Sequence, residues 1–245
     1  MRRLSIHTFI FLLLLMPAAT QAGFLDSVMD AVSGKSADGG LANTGLTNAK
    51  IADGIKEALS KGTERAVSKT GQANGYWKND QIRIPMPDSL ATAEKVLNGV
   101  GMGAMTEDLH MRMNRAAEAA APLAKPIFLD AITGMGLSDV QKIWKGPDDA
   151  ATRYFEDNTS TKLRDAFKPV VSKELERAKA LQSYQDIARN YADVPFVGQK
   201  LNLDLDTYVT GKALDGLFFM LAKEEAEIRN NPAARTTELL KSVFK

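Results

Sequence analysis

Met105–Met135 reads MTEDLHMRMNRAAEAAAPLAKPIFLDAITGM, and its middle turns decide the fold. Six of the nine residues from Ala116 to Ala124 are alanine, the strongest helix former, and so thin a rod lets neighbouring helices approach closely on several sides. The stretch predicts a central helix with other helices packed around it. Pro122 and Pro126 fall inside the pattern, and each removes a backbone donor and crowds the turn before it. The Ala-rich half and the Ile127–Ile132 half are therefore expected to meet at an angle.

Helical spacing extends outward in both directions. Ile51, Ile55, Ala58, Leu59, Gly62 and Ala66 recur on one face between Asn48 and Lys69, with charges opposite. Asp88 is placed to cap a helix carrying Leu90, Ala93, Leu97 and Val100, closed by Gly99 and Gly101. Ser138 with Gln141 reads as a capping box for a short helix ending at Lys145-Gly146. Pro147, Asp148 and Asp149 open another. Asn158 or Thr159 reads as re-capping the chain ahead of the stripe Leu163, Phe167, Val170, Val171 and Leu175, bent at Pro169. A helix from Leu181 to Ala192 precedes a break at Val194–Gly198. The last long helix runs from a cap at Asp204 or Asp206 to about Arg229, with Leu214, Leu217, Phe218 and Leu221 on its core face. Asn230-Asn231-Pro232 stops it and caps a final helix bearing Leu239, Leu240, Val243 and Phe244.

One stretch departs from the helical period. In Asn74–Pro87, NGYWKNDQIRIPMP, a Lys78-Asn79-Asp80 turn and alternating Ile82 and Ile84 suit a small hairpin or an extended clasp. The expected fold is all-α, a multi-helix orthogonal or antiparallel bundle around a central Ala-rich helix. It has at most one short β-hairpin, near 76–84, and forms a single helical domain over 46–245.

Residues 1–22 read as a secretory signal: Arg2 and Arg3, an apolar run from Phe9 to Met16, then Pro17 and small residues ending Thr20-Gln21-Ala22. The run is about half the roughly 20 residues that span a bilayer. The arginines lead straight into it, which favours general secretion over twin-arginine export. Cleavage is expected after Ala22, leaving a periplasmic or secreted protein. In 23–45, Phe24, Leu25, Val28, Met29 and Val32 share a face of a short amphipathic helix, and Lys35–Gly45 is a small, polar linker. Membrane contact through this segment would be at most peripheral.

Composition closes several classes. With no cysteine there is no disulfide, thiolate zinc site, cysteine nucleophile or N-terminal lipid anchor. The 31 basic and 30 acidic residues nearly balance, and loss of Arg2 and Arg3 with a leader leaves 29 against 30. Nothing resembles the basic footprint of a nucleic-acid binder.

The residue that most needs explaining is Glu118, set among alanines where burial is costly unless a cation and donors satisfy it. Arg115, one turn earlier, is the nearest cation in sequence, Arg153 and Arg235 are candidates from other segments, and Asn114 and Asp130 are placed to join. Such a cluster is either a polar lock between helices or a pocket for a polar ligand. Glu107 and His110 share a helix face as a metal pair would, but a helical di-metal site wants that motif twice. His7 leaves with the signal, so no second histidine remains, and no metal or other cofactor is expected. The acids Asp148-Asp149 and Glu224-Glu225-Glu227 lack the oxygen spacing of a calcium loop and read as helix-start acids and solvated faces, with Glu225 and Arg229 an ordinary i, i+4 pair. Gly101-Met102-Gly103 follows a helix, which fails the dinucleotide context. Tyr76-Trp77 is either a core plug or part of a loop site.

Four segments in order carry a family resemblance: MNRAAEAA (Met113–Ala120), KPIFLDAI (Lys125–Ile132), GPDDAATRYF (Gly146–Phe155) and DGLFFMLAKEEAEIRNNPAARTTELLKSVF (Asp215–Phe244). From about Ala42 to its end the chain resembles the bacterial exported family known as domain of unknown function 4197. The resemblance implies an exported, mostly helical protein and no activity. Some relatives look like lipoproteins, a pattern from which this cysteine-free chain departs. The expected function is a non-catalytic envelope protein that binds a small ligand or a protein partner. The alternative is a hydrolase-like enzyme using carboxylates near Glu118, Asp130 and Asp149.

Overall fold

The computed structural model describes residues 47–192, 204–235 and 237–243, all within one unit, Leu46–Lys245. The expectations for 1–45, for Val194–Gly198 and for Phe244 lie outside the described residues. In order come α1 (Asn48–Gly71), α2 (Asp88–Gly99), α3 (Gly103–Ala120), α4 (Ala124–Thr133), α5 (Leu137–Lys145), α6 (Ala150–Arg177), α7 (Ala180–Ala192), α8 (Leu205–Asn230) and α9 (Glu238–Val243). Short 3-10 turns lie at Ala121–Leu123 and Pro232–Ala234, and the described residues contain no β-strand. The protein is an all-α bundle.

The alanines of α3 do what their size predicts. Ala116, Ala117 and Ala120 are sealed, and the helix packs against α1, α2, α6, α7 and α8. The predicted break falls at the Ala121–Leu123 turn, which contains Pro122. Pro126 causes no second break because it sits in the first turn of α4, where backbone amides lack an intrahelical acceptor anyway. The most extensive helix pairs are α6 with α8 and α1 with α8. Phe128 of α4 meets Phe155 of α6 and Phe218 of α8 edge to face, with centroids 5.0 and 6.1 Å away, which ties three helices to one aromatic centre.

Several helix ends differ from the sequence reading. Asp88 is the first residue of α2 and makes no cap bond, and Val100 beyond its end is exposed. At α5 the capping carboxylate is Asp139, which accepts from the Gly136 amide at 3.1 Å, in place of Ser138 with Gln141. Helix α6 passes through Asn158 and Thr159 without re-capping. Both side chains donate to carbonyls one turn back, Tyr154 at 2.7 Å and Phe155 at 2.6 Å, and so spend their polar atoms inside the helix. Asn231 caps the short 3-10 turn, and Thr237 caps α9 by accepting from Leu240 at 3.2 Å. Asp204 caps α8 by accepting from the Thr207 amide at 3.0 Å.

Between α1 and α2 the chain forms a strap, a series of turns through Ile82 followed by an irregular run to Pro87. No hairpin forms, because the strap's backbone finds its partners in side chains of α3 instead of in a second strand.

Candidate functional site

Three residues of α3 at i, i+4 and i+8, His110, Asn114 and Glu118, form one polar stripe, and the strap lies on it. Glu118 is buried and its carboxylate is fully engaged. Oε1 accepts from the backbone amides of Tyr76 at 3.1 Å and Trp77 at 3.0 Å, and Oε2 pairs with Arg115 at 2.6 Å. Arg115 also donates to Asn74 Oδ1 at 2.8 Å, and Asn74 itself takes a left-handed conformation at φ 69° where the strap begins. Asn114 accepts from the Ile84 amide at 2.8 Å and donates to the Ile84 carbonyl at 3.1 Å, a two-way grip on one residue's backbone. It also donates to the His110 carbonyl at 2.8 Å.

Tyr76 plugs the bundle. It is fully buried and donates its hydroxyl to the Ala213 carbonyl of α8 at 2.6 Å. Only glycine fits opposite it, since a Cβ on Gly216 would lie 2.7 Å from the ring. Burial, then the Glu118 and Asp215 charges, push the Tyr76 phenol far above its usual range.

At the other end of the stripe, His110 Nε2 lies 2.7 Å from the Ile84 carbonyl, which fixes the proton there. Nδ1 then accepts from Arg83 Nη2 at 3.4 Å. The Arg83 guanidinium stacks 3.9 Å above the Trp77 ring, and Trp77 meets His110 edge on at 5.2 Å between centroids. The His110 pKa is lowered, chiefly by burial and also by the Arg83 charge. The Ile84 hydrogen bond and the Glu94 and Glu107 charges oppose that shift.

Of the seven residues named from sequence, only Asn114, Arg115 and Glu118 come together. Asp130 is exposed on α4. Asp149 and Arg153 pair with each other on the surface at the start of α6, 2.8 Å apart. Arg235 donates to the Ile228 and Arg229 carbonyls at 3.1 and 2.7 Å and closes the C-terminal end of α8.

Two further acids run against the solvated reading given to them. Glu224 and Glu225 are buried. Glu225 accepts from the Ala151 and Thr152 amides at 2.9 Å each and from the Thr152 hydroxyl at 3.0 Å, capping α6 from another helix. Its neighbour Arg229 pairs with it at 2.9 Å and donates to the Ile143 carbonyl at 2.7 Å. Glu224 ties α8 to α1 through Lys69 at 2.5 Å and Arg65 at 3.0 Å. The signal was present in sequence: Leu217, Leu221, Glu224, Glu225 and Ile228 continue one core-facing stripe at steps of three and four.

Open surface concavity lies elsewhere. A cleft of about 260 Å³ runs between Ile82–Pro85 of the strap and Lys212, Asp215, Gly216 and Phe219 of α8. A second, of about 390 Å³, lies between α8 and the start of α6, where Asp149, Arg153 and Glu156 face Asp215, Phe218 and Phe219. Asp215 and Phe219 line both, so the two form a single trough across α8. Phe219 is 44% exposed. Burial holds the Glu156 carboxyl above its usual range, followed by the Asp157 and Asp149 charges, with Arg153 opposing and Asp215 adding to the rise. Inside the bundle, the void bordered by Ile55, Gly62, Phe155 and Leu221 is about 20 Å³, room for one water. No group of three or more His, Cys, Asp or Glu residues suited to a metal occurs among the described residues. None of their helices is long and apolar enough to cross a membrane.

The described residues form an all-α bundle whose buried acids Glu118, Glu224 and Glu225 are held by its own backbone amides and cations, with a shallow trough across α8. The family described as protein of unknown function (DUF4197) matches residues 45–245. The chain belongs to that family. No curated protein and no solved structure matches it.

Proposed function

We propose that this is an exported, non-catalytic cell-envelope protein that binds a basic segment of a protein partner in the trough across α8. The observation that carries the reading is Phe219, a large apolar side chain left 44% exposed where the two concavities meet. The interior void is too small for any ligand beyond a water, and the trough is open, as suits an extended chain better than an enclosed small molecule. In the α6–α8 half Asp149, Glu156 and Asp215 face Arg153, with Lys212 pairing Asp215 at 3.0 Å from the strap half, and the Asp157, Asp149 and Asp215 charges add to burial in raising the Glu156 carboxyl. Lysine or arginine side chains flanking an apolar anchor complement that surface. The hydrolase alternative needs Glu118, Asp130 and Asp149 to converge on one substrate. Glu118 is spent on the strap amides and Arg115, and Asp149 on Arg153, and these partners support the binding reading.

The test is fluorescence anisotropy with a labelled peptide of alternating Lys and Leu and its Glu-Leu counterpart. The Lys-Leu peptide is expected to bind in a salt-dependent manner. Phe219→Ser and Glu156→Lys should each weaken it about tenfold, or roughly 1.4 kcal/mol. Equal binding of the two peptides, or binding unaffected by both substitutions, would overturn the proposal.

A further inference from the structure

We infer that His110 is a pH-sensitive seat for Arg83: the neutral imidazole holds the guanidinium over Trp77 through Nδ1, and a proton on Nδ1 expels it. The geometry allows little else. Nε2 keeps its hydrogen on the Ile84 carbonyl in both states, so the titrating position is Nδ1, which faces Arg83 Nη2 at 3.4 Å. Once Nδ1 carries a proton, two cationic donors face each other with no acceptor between them, and Arg83 Nε is already buried without a partner. The arginine is the group able to leave, because Arg83 is only half-buried and borders the open cleft beside α8. Asn114 and Glu118 do not depend on His110 for their bonds to Ile84, Tyr76 and Trp77, so the strap stays pinned while Arg83 swings.

The charged groups that face the imidazole are Arg83 on the strap, Glu94 on α2 and Glu107 on α3. Arg83 opposes the proton and the two acids favour it, while burial, the largest influence, also opposes it. The folded protein thus binds the proton more weakly than a free histidine does. The seat is fully formed above the ordinary histidine range and is lost as pH falls through the lowered value.

The test needs no partner. In full-length Trp144→Phe protein, Trp77 is the one remaining tryptophan, and its emission and acrylamide quenching are followed from pH 8 to 4.5. A single step is expected with a midpoint below about 6.5, the ordinary histidine value, accompanied by greater access of acrylamide to Trp77. Adding His110→Gln should abolish the step. Adding Arg83→Gln should leave Trp77 accessible at every pH and shift the histidine titration upward, because the opposing cation is gone. The inference is overturned if the step survives His110→Gln or if quenching is the same at both ends of the range. Loss of far-ultraviolet helix signal over the same range would also overturn it, because Arg83 would then be leaving by unfolding.

Discussion

Glu118 and Glu225 are both buried carboxylates, yet their removal should cost different amounts because different groups are left behind. Without Glu118, Arg115 can turn to water, its side chain being 41% exposed. The loss is two backbone donors in the strap, and Glu118→Ala should lower stability by about 2–3 kcal/mol. Glu118→Gln keeps an acceptor for those amides and should lose less. Without Glu225, Arg229 is stranded with its side chain only 11% exposed, and the first amides of α6 lose their cap. Glu225→Ala should therefore cost about 3–5 kcal/mol. Urea midpoints beside the exposed control Glu176→Ala decide the order, and a Glu118 variant as stable as wild type would mean its bonds to the strap carry no net stability. Sequence already showed that Glu118 needs a cation and that Arg115 stands one turn away. It did not show the amides of Tyr76 and Trp77, because a backbone donor forty residues distant leaves no mark on composition or spacing. Arg153 and Arg235 illustrate the converse: an arginine on a helix has many carbonyls and acids within reach, and sequence does not rank them.

The helices themselves were legible wherever an apolar stripe was long enough to outvote local signals. The misreadings fall where two candidate caps stand within a few residues, as at Ser138 and Asp139, or where Asn158 and Thr159 mimic caps inside a continuous stripe. Glycines within α1 give a sharper test of how these elements meet. A methyl on Gly62 would lie 3.6 Å from Ile228 Cδ1, an ordinary contact beside the interior void. Gly62→Ala should accordingly stabilise by about 0.5–1 kcal/mol through helix propensity. On Gly54 the same methyl would lie 2.5 Å from Val243 Cγ2 and push α9 off its seat. Gly54→Ala should destabilise by about 1–3 kcal/mol, and should become neutral or better when combined with Val243→Ala. Thermal melts of the three variants settle both points. A Gly54→Ala protein as stable as wild type would show that α9 does not rest there.

For the whole molecule, the exported reading rests on residues 1–22. Secretion in a Gram-negative host followed by N-terminal sequencing of the periplasmic fraction should give a chain starting at Gly23. Recovery of uncleaved chain in the membrane fraction would remove the exported reading and leave the trough without its proposed setting. Asn114 and Glu118 grip the strap by its peptide groups: the amide and carbonyl of Ile84, and the amides of Tyr76 and Trp77. A clamp that holds peptide groups is indifferent to side chains such as those of Lys78 and Asp80, which point to solvent. It is unforgiving of count, since one residue inserted or deleted between Trp77 and Ile84 would slide an amide out of reach at one end or the other. Across related sequences, the exposed positions of this strap, such as Lys78 and Asp80, are therefore free to drift while its length is not.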